Sequence, residues 1–153
     1  MTRPERQTHR KTVLLVDDEQ VFLEPLADAL EHEGYRVLKS ATVEHALELL
    51  EIEKIHLITI DVMIDPGESL LGETDSRRAG LYLCQIVRKK FPRIEVFCIS
   101  VVSDADTINW IEKMGARFLR KGETPLRTVL EILSSRLRGI AYSTTTDRRG
   151  HYN

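Results

Sequence analysis

The sequence has no apolar run near the ~20 residues that cross a bilayer. It also has only two cysteines, one tryptophan and five histidines in 153 residues. Cys84 and Cys98 lie among apolar neighbours with no CxxC or Cys/His spacing, which points to reduced core thiols rather than a disulfide frame or a zinc site. The histidines are scattered and form no ligand constellation. An excess of one charge is lacking too. A net charge of −2 and a pI near 6.2 give no global pull toward nucleic acid or an anionic membrane. The basic start, MTRPERQTHRK, has no apolar segment behind it and does not read as a secretion signal, so a cytoplasmic location is expected.

What remains is the composition of one globular domain, 42% hydrophobic and 30% charged. Short apolar runs of strand type at residues 12–16, 35–38, 55–60, 94–99 and 118–120 alternate with stretches of helical period. The helices are expected over residues 21–32, 43–53, 79–91 and 103–114, and from Thr124-Pro125 to about Arg138. Pro25 predicts a late start or a kink in the first. Gly34 and Gly115 read as stops, and Ser103-Asp104-Ala105-Asp106 as a capping box. The polar stretch 61–78, with Pro66, Gly67 and Gly72, reads as a long loop. Five β–α units in strict alternation imply an α/β fold, a parallel sheet with helices on both faces. The organisation expected is a domain over 11–138 with flexible ends at 1–10 and 139–153.

In such sheets ligands bind beyond the carboxyl ends of the strands. The first strand ends in Asp17-Asp18-Glu19, the third in Asp61, the fourth in Ser100 and the fifth in Lys121. Carboxylates crowded at ~4 Å repel by ~4 kcal/mol at an effective dielectric of ~20. A hard divalent cation relieves that repulsion, and Mg²⁺ keeps its site open to water and phosphate. A carboxylate beside such a cation is a nucleophile toward phosphorus, giving an acyl phosphate. Lys121 would neutralise charge on the transferring group.

With VDDE at 16–19, the strand-end Asp61, Ser100 and FLRK at 118–121, the chain resembles the bacterial response-regulator receiver domains over about residues 11–138. The resemblance implies a flavodoxin-like (βα)5 doubly wound fold with strand order 2-1-3-4-5. It implies that Asp61 takes a phosphoryl group from the phosphohistidine of a sensor histidine kinase or a histidine phosphotransfer protein. Mg²⁺ would be bound by Asp18, Asp61 and the Met63 backbone carbonyl directly, and by Asp17 through water. Lys121 would pair with the phosphoryl group, while Ser100 would bond it and draw Phe118 inward. Only fifteen residues follow Arg138, so output is expected through a downstream protein target or a phosphorelay, without nucleic acid, membrane or enzymatic activity of its own.

The sequence departs from that family at three places. Asp65, with Pro66 after it, holds a position usually given to proline, and the matching glycine is Gly80, which implies an insertion of roughly ten residues beside Asp61. Gly122 follows Lys121 where proline is common, and the branched Val101 follows Ser100 where a smaller residue is usual. Two other classes compete: a receiver-like interaction module that has stopped using phosphate, and a Mg²⁺-dependent phosphohydrolase. The second needs an acid–base aspartate two residues past the nucleophile, where Met63 stands.

Overall fold

The computed structural model describes residues 10–75, 77–101 and 104–147, with side chains as far as Gly139. Five strands, β1 (Thr12–Val16), β2 (Arg36–Ser40), β3 (Leu57–Ile60), β4 (Glu95–Ser100) and β5 (Arg117–Arg120), form one parallel sheet in the order β2-β1-β3-β4-β5. The helices between and after them are α1 (Gln20–His32), α2 (Val43–Ile52), α3 (Ala79–Lys90), α4 (Ala105–Lys113) and α5 (Leu126–Asp147). This is the doubly wound, flavodoxin-like architecture expected.

Strand periodicity divides the core in two. Val13 and Leu15 point with Phe97 and Ile99 toward α1 and α5, meeting Leu23, Leu26, Leu133 and Leu137. Leu14 and Val16 point with Ile58, Ile60 and Cys98 to the other face, meeting Val43 and Leu50 of α2, Leu83 of α3 and Ile111 of α4. Successive residues of β1 are therefore buried in opposite layers, which is why the strand is apolar from Val13 to Val16. The two thiols are free and buried in the second layer.

Several local expectations are adjusted. Helix α1 is not delayed by Pro25 but starts at Gln20 and contains it. The carbonyl that loses its partner there belongs to Val21, which is 87% exposed, so water can replace the missing donor. Asp104 caps α4 by accepting the Thr107 N–H at 3.0 Å, while Ser103, which opened the expected capping box, lies outside the described residues. Helix α5 begins at Leu126, with the Pro125 carbonyl accepting from Val129, and runs to Asp147 instead of ending near Arg138. Its apolar stripe ends at Leu137, but i→i−4 bonding needs no stripe, and Gly139 alone costs about 1 kcal/mol. Of the ends expected to be flexible, residues 1–9 and 148–153 lie outside the described residues.

The stretch 61–78 is more ordered than a plain loop. It contains a short 3₁₀ turn, Glu68–Leu70, and a parallel bridge between Asp65 and Thr42. Val43 and Glu44 donate their N–H groups to the carbonyls of Asp65 and Pro66, both at 3.0 Å. The insertion thus supplies acceptors for two of the orphan donors at the N-terminus of α2.

Candidate phosphoacceptor site

Three of the expected site residues stand one position past the end of a strand, and each continues the sheet's hydrogen bonding by one rung. Asp17 donates its N–H to the Ser40 carbonyl (2.9 Å), Asp61 to Val16 (3.0 Å) and Lys121 to Ser100 (3.0 Å). The sheet itself therefore fixes where these side chains start, and its edge gathers them.

Asp61 is buried, and both its oxygens are held. Its Oδ1 accepts from the Ser100 hydroxyl at 2.9 Å and from the Met63 N–H at 3.2 Å. Its Oδ2 accepts from Lys121 Nζ at 2.9 Å. The Lys121 ammonium is also 2.7 Å from Asp17 Oδ2 and 2.7 Å from Glu19 Oε1, so its three N–H donors meet three carboxylates. Burial works against that charge, but the hydrogen bonds it donates to Asp17, Glu19 and Asp61 outweigh burial and hold the Lys121 pKa above its ordinary value. For Asp17, burial is the larger influence and raises its pKa. The Lys121 contact and the Glu19 N–H, 2.9 Å from its Oδ1, oppose the rise, and the charge on Asp61 adds to it.

Carboxylate oxygens of Asp17, Asp18 and Asp61 can all lie within 4.8 Å of one another, two of the residues buried and Asp18 exposed. That all-oxygen set, open on the Asp18 side, suits a hard cation such as Mg²⁺.

The remaining expected residues fall around this centre. Phe118 pairs in register with Cys98 and packs half-buried against the α2–α3–α4 layer, with the Arg120 guanidinium 6.0 Å from its ring. Met63 touches Asp61 through its N–H and leaves its side chain half exposed. Val101 is 65% exposed and turned to solvent. Gly122 has φ +86°, which a proline ring cannot adopt, so this chain's loop after Lys121 is built on a different backbone from one carrying proline there. Two participants were not foreseen: Glu19, the third partner of Lys121, and Phe22, whose ring lies 5.1 Å from the same ammonium. Glu19 had a signal in the Asp-Asp-Glu run, whereas nothing in the sequence marks Phe22.

A parallel sheet that gathers a buried, fully oriented aspartate, two further carboxylates and a lysine at its carboxyl edge defines a receiver of phosphoryl groups. The family comparison agrees: residues 13–132 match the response regulator receiver domain, and the chain belongs to that family. It is 27% identical over 122 residues to the transcriptional regulatory protein YvrH of Bacillus subtilis, an alignment covering 79% of this chain and 47% of YvrH. The chain thus spans less than half of that relative. Over a shorter stretch of 54 residues it is 43% identical to the alkaline phosphatase synthesis transcriptional regulatory protein PhoP of the same organism, covering 35% of this chain and 22% of PhoP. A response regulator receiver domain protein (CheY-like) from Methanospirillum hungatei superposes with a TM-score of 0.73 at 22% identity, covering 88% of this chain and 98% of that one. The protein is a two-component signalling receiver, a family that interacts with histidine kinases and phosphotransfer proteins and binds Mg²⁺ in such acidic clusters. No helix among the described residues is long and apolar enough to cross a membrane.

Proposed function

We propose that Asp61 is the phosphoacceptor of this receiver and takes its phosphoryl group from the phosphohistidine of a sensor kinase or a histidine phosphotransfer protein. The working unit is the 11–138 body, acting in the cytoplasm on a downstream protein or as one step of a relay. The observation that carries this reading is the Asp61 carboxylate. It is buried, and Ser100, Met63 and Lys121 fix its orientation with both oxygens at hydrogen-bond distance.

Asp18 and Asp61 would hold Mg²⁺ directly with the Met63 backbone carbonyl, and Asp17 through water. Bound there, the ion would neutralise and orient the phosphoryl oxygens. The chain's own residues do the rest. An Asp61 oxygen forms the new O–P bond as the donor's N–P bond breaks, and the imidazole nitrogen takes a proton from solvent. Lys121 keeps its ammonium against the group that has arrived. The Ser100 hydroxyl, already 2.9 Å from Asp61, transfers its hydrogen bond to a phosphoryl oxygen. Phe118 then follows on β5, altering the face around α4.

The test is incubation with Mg²⁺ and acetyl phosphate or beryllofluoride, read by intact mass and by Mg²⁺ titration. A stoichiometric adduct that disappears in Asp61→Asn supports the proposal. Absence of both adduct and Mg²⁺ binding would favour the phosphate-independent module, and continuous hydrolysis of a phosphomonoester the phosphohydrolase.

A further inference from the structure

Beside the acid pocket, a cleft of about 810 Å³ opens between the insertion, α3 and α4. Arg77 and Arg78 line one side. Asp104 and Asp106, from the N-terminus of α4, line the other, and Leu81, Tyr82 and Trp110 supply apolar surface. The backbone N–H groups of both arginines bond Asp75 Oδ1, which fixes the turn that presents them. Among the described residues neither guanidinium has an ion-pair partner, and both residues are exposed. Trp110, the only tryptophan of the chain, is 38% exposed.

The charges decide what fits. Two guanidiniums and two carboxylates sum to zero, so the cleft has no net attraction for a polyanion such as a nucleoside triphosphate or nucleic acid. It matches a ligand with both signs of charge and an apolar middle. An aromatic platform beside unpaired arginines is the composition of a protein-binding hot spot. Its volume lies in the range of concave ligand sites.

We infer that this cleft docks a segment of a partner protein. That segment sets a carboxylate against Arg77 and Arg78, an apolar or aromatic side chain on Trp110 and Tyr82, and a lysine or arginine against Asp104 and Asp106. The cleft is also placed to report on the acceptor, a clause that rests on the function proposed above. Val62 and Met63 line it directly after Asp61, and Met63 donates to the Asp61 carboxylate. The opposite wall begins at Asp104, shortly after Ser100, the other residue bonded to that carboxylate.

A random-peptide phage library panned on the full chain tests the inference, with selected peptides synthesised and titrated by Trp110 fluorescence. Selected sequences should share an acidic–apolar–basic order and shift the Trp110 emission. They should lose about tenfold in affinity for the Arg77→Glu/Arg78→Glu variant. Asp106→Lys should weaken them as well, whereas exchanging the peptide's charges should recover binding to a variant reversed on both walls. Peptides that bind the reversed variant equally well, leave Trp110 unchanged or show no charge order would overturn the docking site. So would Arg77-dependent fluorescence quenching by GTP or inorganic phosphate alone, which would reassign the cleft to a small anion. Asp61→Asn separates the two claims: peptide binding that survives in a chain unable to take beryllofluoride supports the cleft whatever becomes of the acceptor. Charge-independent binding in a chain that does take the adduct overturns the cleft and leaves Asp61 standing.

Discussion

Gly80 faces the backbone of Asp61 so closely that a Cβ there would stand 2.1 Å from the Asp61 carbonyl oxygen and 2.5 Å from the Val62 Cα. The Gly80 N–H meanwhile bonds the Val62 carbonyl at 2.9 Å. The start of α3 is therefore pressed onto the Asp61–Val62 peptide, and only a residue without a side chain permits it.

Gly80→Ala should accordingly be more than a helix substitution. Backbone cannot yield as a flexible side chain does, so α3 or the loop after Asp61 must shift, at a cost of about 1–3 kcal/mol. Denaturant unfolding should show that loss, and acetyl-phosphate labelling of Asp61 should slow in the folded fraction. A variant with unchanged stability and labelling would show that the contact is slack.

Lys121→Met leaves Asp17 and Asp61 buried without the ammonium that now neutralises them. Removing one partner of a buried ion pair costs on the order of 3 kcal/mol. Because a cation in the carboxylate set supplies the missing charge, the fall in Tm should be larger in EDTA than in Mg²⁺. Equal falls under both conditions would argue that Mg²⁺ does not bind among these carboxylates.

Glu44 anchors the insertion: its Oε1 accepts the Ser69 N–H at 3.2 Å, and Gly67 packs against its side chain. Glu44→Ala should cost about 1 kcal/mol or less globally but make residues 67–75 more sensitive to limited proteolysis. If the insertion shields the acyl phosphate from water, the phosphorylated form should also decay faster, as measured by loss of the mass adduct. Deleting residues 69–75 with no change in phosphotransfer or lifetime would remove that role.

His56 gives the chain an acid sensitivity far from the site. Its Nδ1 accepts the Thr12 N–H at 3.0 Å, which requires the neutral ring. Burial first, then the charges of Lys11 and Lys54, lower its pKa below the ordinary 6.5. The unfolded chain then binds more protons than the folded one between the two pKa values, so unfolding becomes easier as pH drops below about 6.5. The contribution is fully present above that pH. Urea midpoints measured from neutral to mildly acid pH should fall, and His56→Gln should flatten the slope.

Much of this was legible in sequence because two periodicities carry it. Val13 through Val16 are all apolar because both faces of β1 are covered, and the strand-end residues Asp17, Asp61 and Lys121 follow from where those runs stop. Ser100 proved to be the last residue of β4 rather than the one after it, without changing its place at the edge. What escaped depends on contacts between residues far apart in sequence. Nothing in residues 61–78 announces that Asp65 will bridge Thr42 or that Ser69 will donate to Glu44. Lys121 reads as one charge with one partner until the fold brings Glu19 and Phe22 to it. The end of α5 does not show in the sequence pattern because an apolar stripe measures burial, and a helix can outrun the core it packs on.

The Thr42–Asp65 bridge joins the segments leaving β2 and β3, which flank β1 in the sheet, and so spans the end of β1 on the side of α2. For the phosphoryl transfer proposed above, that bridge would narrow a donor's approach from this quarter and leave the side of α1 open, where Asp18 and Glu19 are exposed. Donor and reader would then have separate berths, one by α1 and one in the α3–α4 cleft. The receiver could remain attached to its target while it is being charged.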